Sequence, residues 1–184
     1  MHASRALDKT TIYFNKKKYQ LSYEMYKTPT KIDINGNPEG RETPMQTLIS
    51  YFRTIKNTSA QEFHKIDEYT CLFDGKANPK PDDIDKWKKA ADFLLKGGVK
   101  IYGVIKFNEY TVYIKRYPAG PDIICGTPLK KIKDKYFIIT DTGPDKKFME
   151  ELSSQNYDVN KMTDLYSQPP KNSENTTKKS SKNK

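Results

Sequence analysis

His64 stands three residues before Asp67 and four before Glu68. An imidazole beside a carboxylate can relay protons. On a helix, however, His64 and Glu68 at i, i+4 also share an exposed face, which is an ordinary way to stabilise a helix. Asp82, Asp83 and Asp85 could hold a cation, or could simply favour the positive end of a helix that starts there. The two cysteines, Cys71 and Cys125, and the two histidines, His2 and His64, are too few and too scattered for a zinc site. The thiols are either free or paired with each other, and the sequence leaves both open. No glycine-rich phosphate loop and no Gly-x-Ser-x-Gly elbow occurs. These residues therefore assign no catalytic group, no metal and no cofactor.

A different pattern lies in "VKIYGVIKFNEYTVYIKRY", residues 99–117. It reads as two strands joined at Asn108-Glu109. Phe107 then faces Tyr110, Ile105 faces Val112, and Gly103 faces Ile114, and this face, with Val99 and Ile101, is the expected core. The other face carries Lys100, Tyr102, Val104 and Lys106 on one strand and Thr111, Tyr113, Lys115 and Tyr117 on the next. Three partners fit it. Tyrosines can stack on bases while lysines meet phosphates. A second copy can pack sheet to sheet on Tyr102, Val104, Tyr113 and Tyr117, with lysine stems lying flat. Water alone suits a face held by cross-strand pairs.

The elements that must position these groups follow from the pattern of the 184 residues. Strands are expected at "TIYF", at "YQLSYEMY", where Tyr19, Leu21, Tyr23 and Met25 alternate with polar residues, and at "KIDI". "NKKK" suits an exposed turn and "NGNPEG" a loop. Thr43, Pro44 and Gln46 form a helix start with a capping box. Met45, Leu48, Ile49, Phe52 and Ile55 then recur at spacings of three and four. Ser59 and Glu62 open a short helix lined by Phe63, Ile66 and Tyr69. Ile84, Trp87, Ala91, Leu94 and Leu95 give a further helix an apolar face, ended by Gly97-Gly98. A second hairpin covers 123–141, its register ambiguous, and "DKKFMEEL" reads as a short last helix. The order is that of an α+β fold with antiparallel hairpins. One domain is expected over 1–152, with a polar, basic and disordered tail over 153–184.

Element order and capping pattern carry a resemblance. "TPMQTLISYFRTIKNTSAQEFHKI" is similar to the first helix pair of the nuclear transport factor 2-like superfamily, the cone-shaped α+β fold. The likeness covers residues 43–141. It implies a curved antiparallel sheet wrapped around a long amphipathic helix, with the strands before Thr43 as additions. It also implies a pocket inside the cone, for which Tyr51, Tyr69 and Trp87 are candidate lining residues. Isomerases of that superfamily use a pocket Asp base with a Tyr or Asp donor; no position here matches those roles, so none is assigned.

Charged residues make up 30% of the chain, the formal net charge is +10 and the mean hydropathy is −0.89. No stretch is apolar enough for a spanning helix. Five Lys and one Glu in "KNSENTTKKSSKNK" supply +4 of the charge. "MHASRALDKT" contains no apolar leader core, which leaves a cytoplasmic protein or an exported one whose leader has been removed. The functional expectation is a non-enzymatic binding or accessory module, with a small apolar ligand, a protein or a second copy as partner. A small-molecule enzyme of isomerase or dehydratase type and nucleic-acid binding through the Tyr/Lys face are the alternatives.

Overall fold

A computed structural model describes residues 7–35, 40–119 and 124–169. The elements are β1 Asp8–Phe14, β2 Lys17–Lys31, α1 Pro44–Asn57, β3 Thr70–Leu72, α2 Ile84–Leu95, β4 Lys100–Phe107, β5 Tyr110–Arg116, β6 Cys125–Ile132, β7 Lys135–Asp141, α3 Lys146–Ser154 and α4 Val159–Tyr166. Short 3₁₀ turns lie at Phe63–Glu68 and Gly143–Asp145. One seven-stranded sheet runs β1-β2-β4-β5-β6-β7-β3, antiparallel except for β3 beside β7. The fold is thus α+β with a mostly antiparallel sheet.

Local chemistry accounts for the element ends. Asn15 and Lys16, at φ 49° and 64°, make the tight turn between β1 and β2, a conformation Asn tolerates. The Thr43 hydroxyl accepts the Gln46 N–H at 3.2 Å, and the Gln46 side chain accepts the Thr43 N–H at 3.0 Å, closing the expected capping box of α1. Asp83 accepts the Lys86 N–H at 2.8 Å and starts α2, which explains one of the three clustered aspartates. "KIDI" is not a separate strand: Lys31 is the last residue of β2, and Ile32 and Ile34 are buried in the segment that follows.

Helices cover both faces of the sheet. Leu48, Ile49, Phe52 and Ile55 of α1, Phe63 of the first 3₁₀ turn and Ala91 of α2 pack on Val99, Ile101, Val104, Tyr113, Leu129 and Ile138. On the opposite face, Phe148, Met149 and Leu152 of α3 and Val159 and Met162 of α4 meet Ile12, Tyr19, Leu21, Ile105, Phe107, Tyr110, Val112 and Ile114. There Phe148 stacks on Tyr19 with centroids 3.8 Å apart.

The hairpin register holds from its turn to Gly103: Phe107 pairs with Tyr110, Ile105 with Val112 and Gly103 with Ile114. One residue further the expectation fails. Ile101 pairs with Lys115, so Tyr102 is an extra residue in β4. Because side chains alternate with a period of two, this bulge exchanges the faces beyond it. Val99 and Ile101 lie under α1 rather than with Ile105 and Phe107, and Tyr102 turns to the α3 side. The bulge sits where β2 is also irregular, between Met25 and Thr30. Gly103 makes the approach feasible, since a Cβ there would lie 2.6 Å from the Glu24 carbonyl oxygen.

Two further expectations are corrected. The Tyr/Lys face of the hairpin does not lie open for a second copy or a nucleic acid: Val104 and Tyr113 are buried beneath α1, because the helix lands on this face. The domain boundary drawn at 152 falls inside α3. Tyr157, Val159 and Met162 beyond it are 5%, 2% and 0% exposed, so the core continues through α4. The part of the expected tail from residue 170 onward lies outside the described residues.

Candidate functional site

α1 and α2 lie side by side on the sheet, and a groove of about 210 Å³ runs between them. Tyr51, Phe52 and Ile55 of α1 form one wall. Trp87, Ala90, Ala91, Leu94 and Leu95 of α2 form the other, and Tyr117, just past β5, closes the floor. The amphipathic spacing of both helices explains the lining, since each turns apolar residues towards the seam. Trp87, the chain's one tryptophan, remains 37% exposed at the rim and packs on Phe63 with ring centroids 4.5 Å apart. Phe52 meets Tyr117 edge-on at 6.2 Å and Tyr51 at 5.5 Å.

Two of the three pocket candidates, Tyr51 and Trp87, are therefore brought together. Tyr69 is not; its ring lies under the Arg41 guanidinium, 5.8 Å away, on another part of the surface. Of the four interface candidates, Tyr117 belongs to this groove, Val104 and Tyr113 are buried in the layer beneath α1, and Tyr102 packs on the opposite side with the Arg116 guanidinium 5.1 Å above its ring.

Lys115 is the residue that sequence reading undervalued. Alternation places it on a half-wet face, yet it is only 7% exposed. Its cross-strand neighbours are Ile101 on β4 and Cys125 on β6, and its ammonium lies 4.6 Å from the centre of the Tyr117 ring. Among the described residues no carboxylate pairs with it. Burial disfavours its charged form and brings its pKa down to about 8, with Cys125 acting weakly the other way. Burial also pushes the Tyr51 hydroxyl up to about 12, and that of Tyr117 higher still, with Tyr51 and Cys125 adding to the Tyr117 shift. A lysine among β-branched and aromatic residues gives no sequence signal of burial; only its central place in the hairpin hinted at it.

The remaining candidates are dispersed. His64 is exposed, with its Nδ1 3.3 Å from the Gln61 carbonyl, and Asp67 and Glu68 are exposed beside it. Cys71 and Cys125 are free thiols. No group of three or more His, Cys, Asp or Glu side chains suited to a metal occurs among the described residues. The carboxylates whose pKa moves, Glu62 and Asp74, are held down by the neighbouring Lys65 and Lys76 on the surface. A larger depression of about 650 Å³ lies between β6–β7 and α3; Pro128, Ile138, Ile139, Met149 and Tyr157 give it apolar walls, Asp141, Lys146, Glu150, Ser153, Ser154 and three threonines add polar groups, and it is wide open to solvent. No described helix is long and apolar enough to cross a membrane.

No protein-family model matches the chain, and no curated protein and no solved structure matches it.

Proposed function

We propose that the domain is a non-enzymatic binding module, and that its site is the groove between α1 and α2. The occupant is a small ligand presenting an aromatic ring or a branched aliphatic group. The observation that carries this reading is the exposed Trp87 at the rim of a seam walled by Phe52, Ile55, Ala91 and Leu94. Apolar side chains that line a concave surface and stay partly wet are the usual setting for a small apolar group. At roughly 30 Å³ for a water-sized group, about 210 Å³ accommodates about seven of them, a ring with a short chain.

The likeness to the nuclear transport factor 2-like superfamily stays a proposal alongside it. The order of a long capped helix, a short helix, a further helix and an antiparallel meander supports it. A sheet curved into a cone around α1 would be the finer form of the same proposal.

Trp87 makes the test direct, since all indole fluorescence comes from the groove. Titration with 3-phenylpropan-1-ol is expected to shift Trp87 emission saturably. Ala90 is exposed and lines the groove, so Ala90→Phe should cover the seam without disturbing the core and abolish the response. A linear, non-saturating response in the unmodified protein up to the solubility of the alcohol would refute the reading.

A further inference from the structure

We infer that the groove's ligand is a carboxylic acid, with its carboxylate drawn to the ammonium of Lys115 and its aromatic or branched apolar group between α1 and α2. This rests on the groove being the binding site.

The argument starts from an imbalance. Lys115 sits between an isoleucine and a cysteine on the adjoining strands, is almost wholly buried, and has the π face of Tyr117 as its neighbour in place of a carboxylate. A buried ammonium is costly unless paired. Among the described residues it is offered only a ring quadrupole, which attracts a cation less strongly than an anion does. Tyr117 is also the floor of the groove. The cation and the apolar seam therefore share one side chain, with the ammonium over the ring and the groove beside it. An anion lodged at the inner end of the groove, against the edge of that ring, would meet the ammonium in a setting poor in water, where opposite charges attract several times more strongly than in bulk solvent.

The other groups around this point do not compete for that role. The groove lining contains no acid and no base, its ionisable members being the tyrosines Tyr51 and Tyr117, and Lys115 borders it through the Tyr117 ring. From β6 comes the Cys125 thiol, and from β4 the apolar Ile101. Arg116, next in sequence, lies over Tyr102 on the opposite face. α2 turns Trp87, Ala91 and Leu94 to the seam, while its Lys88 is paired with Asp92. The apolar volume selects a small tail, and the buried ammonium beside it selects an acid head. Neither a long-chain lipid nor a polyanion satisfies both.

The test compares 3-phenylpropanoate with 3-phenylpropan-1-ol, which share the apolar group and differ in charge. Both are titrated at pH 7 by Trp87 fluorescence and by calorimetry, against the unmodified protein and Lys115→Met. The acid is expected to bind at least tenfold tighter than the alcohol to the unmodified protein, and the preference should vanish in Lys115→Met while the alcohol binds as before. Lys115→Arg, which keeps a charge, should retain part of it. A second readout needs no substitution: in the unmodified protein the preference for the acid should decline as pH rises from 7 towards 10, as the ammonium is lost, with alcohol affinity unchanged. Equal or tighter binding of the alcohol, or a preference indifferent to both Lys115→Met and pH, overturns the carboxylate inference and leaves the groove reading intact. Binding of neither compound overturns both.

Discussion

Replacing Lys115 with Met should make the protein more stable, and by an amount that depends on pH. In the unfolded chain a lysine titrates near 10.5; in the fold Lys115 titrates near 8. Below pH 8 both states carry the proton, and the fold bears the full cost of burying the charge. A gap of that size corresponds to about 3 kcal/mol at roughly 1.4 kcal/mol per pH unit. Between pH 8 and 10.5 the unfolded chain binds a proton that the folded one has released, so stability rises with pH through this window. The sign is opposite to that of a lysine in a salt bridge. Methionine fills similar space without charge. The variant should therefore gain about 3 kcal/mol over the unmodified protein at pH 7, and the difference should narrow to about 1 kcal/mol at pH 9.5. Any constant gain from better packing is the same at every pH, so the narrowing is the diagnostic quantity. Urea unfolding of both proteins at pH 7.0, 8.0 and 9.5 measures it. The series stays below pH 10 because Tyr51 and Tyr113, with pKa values raised to about 12, keep protons there that the unfolded chain loses, and this lowers stability in both proteins. A variant no more stable at pH 7, or a difference constant across the series, would show that Lys115 reaches water, and the charge argument for the groove would fall with it.

Phe52 is 2% exposed at the centre of the α1 layer, and Phe52→Ala should cost roughly 3–5 kcal/mol in denaturant melts, with a loss below about 1 kcal/mol excluding α1 from the core. A Cβ at Gly126 would lie 2.3 Å from the Tyr157 ring, whose backbone is held at φ 58°, so Gly126→Val should destabilise by roughly 1–3 kcal/mol while the less crowded Gly126→Ala costs less. Ending the chain after Leu152 strips Tyr157, Val159 and Met162 from the core and should abolish the cooperative thermal transition, whereas ending it after Pro169 should leave the melting temperature unchanged.

What could be read from the sequence was what neighbours along the chain decide. The α1 cap needed only Thr43 and Gln46, three residues apart, and the hairpin register needed only the alternation on either side of Asn108-Glu109. The same local logic operates at 158–166. Asp158 accepts the Lys161 N–H at 3.1 Å as an N-cap, and Val159, Met162 and Tyr166 recur at spacings of three and four. Polar residues around it mask this two-turn helix, so composition alone puts the boundary at 152, short of where the core ends. What could not be read was decided by elements distant in sequence. The Tyr102 bulge arises where β4 meets the irregular stretch of β2, some seventy-five residues earlier, and only Gly103 hinted at it.

The bulge has a direct consequence for the candidate site. It places Val99 and Ile101 on the same side as Tyr113, Lys115 and Tyr117, so the face that alternation marked as half-wet gains an apolar strand and a helix above it. Lys100 and Lys106 remain exposed, and Lys115 alone is enclosed. Alternating tyrosine and lysine marks a face whose aromatic area exceeds what water alone needs, and here that area packs largely within the chain. What their spacing could not convey was that α1 and α2 would cover most of it. In the seam that is left, the aromatic floor and the enclosed cation meet at Tyr117, and that meeting is what the proposed small acid requires.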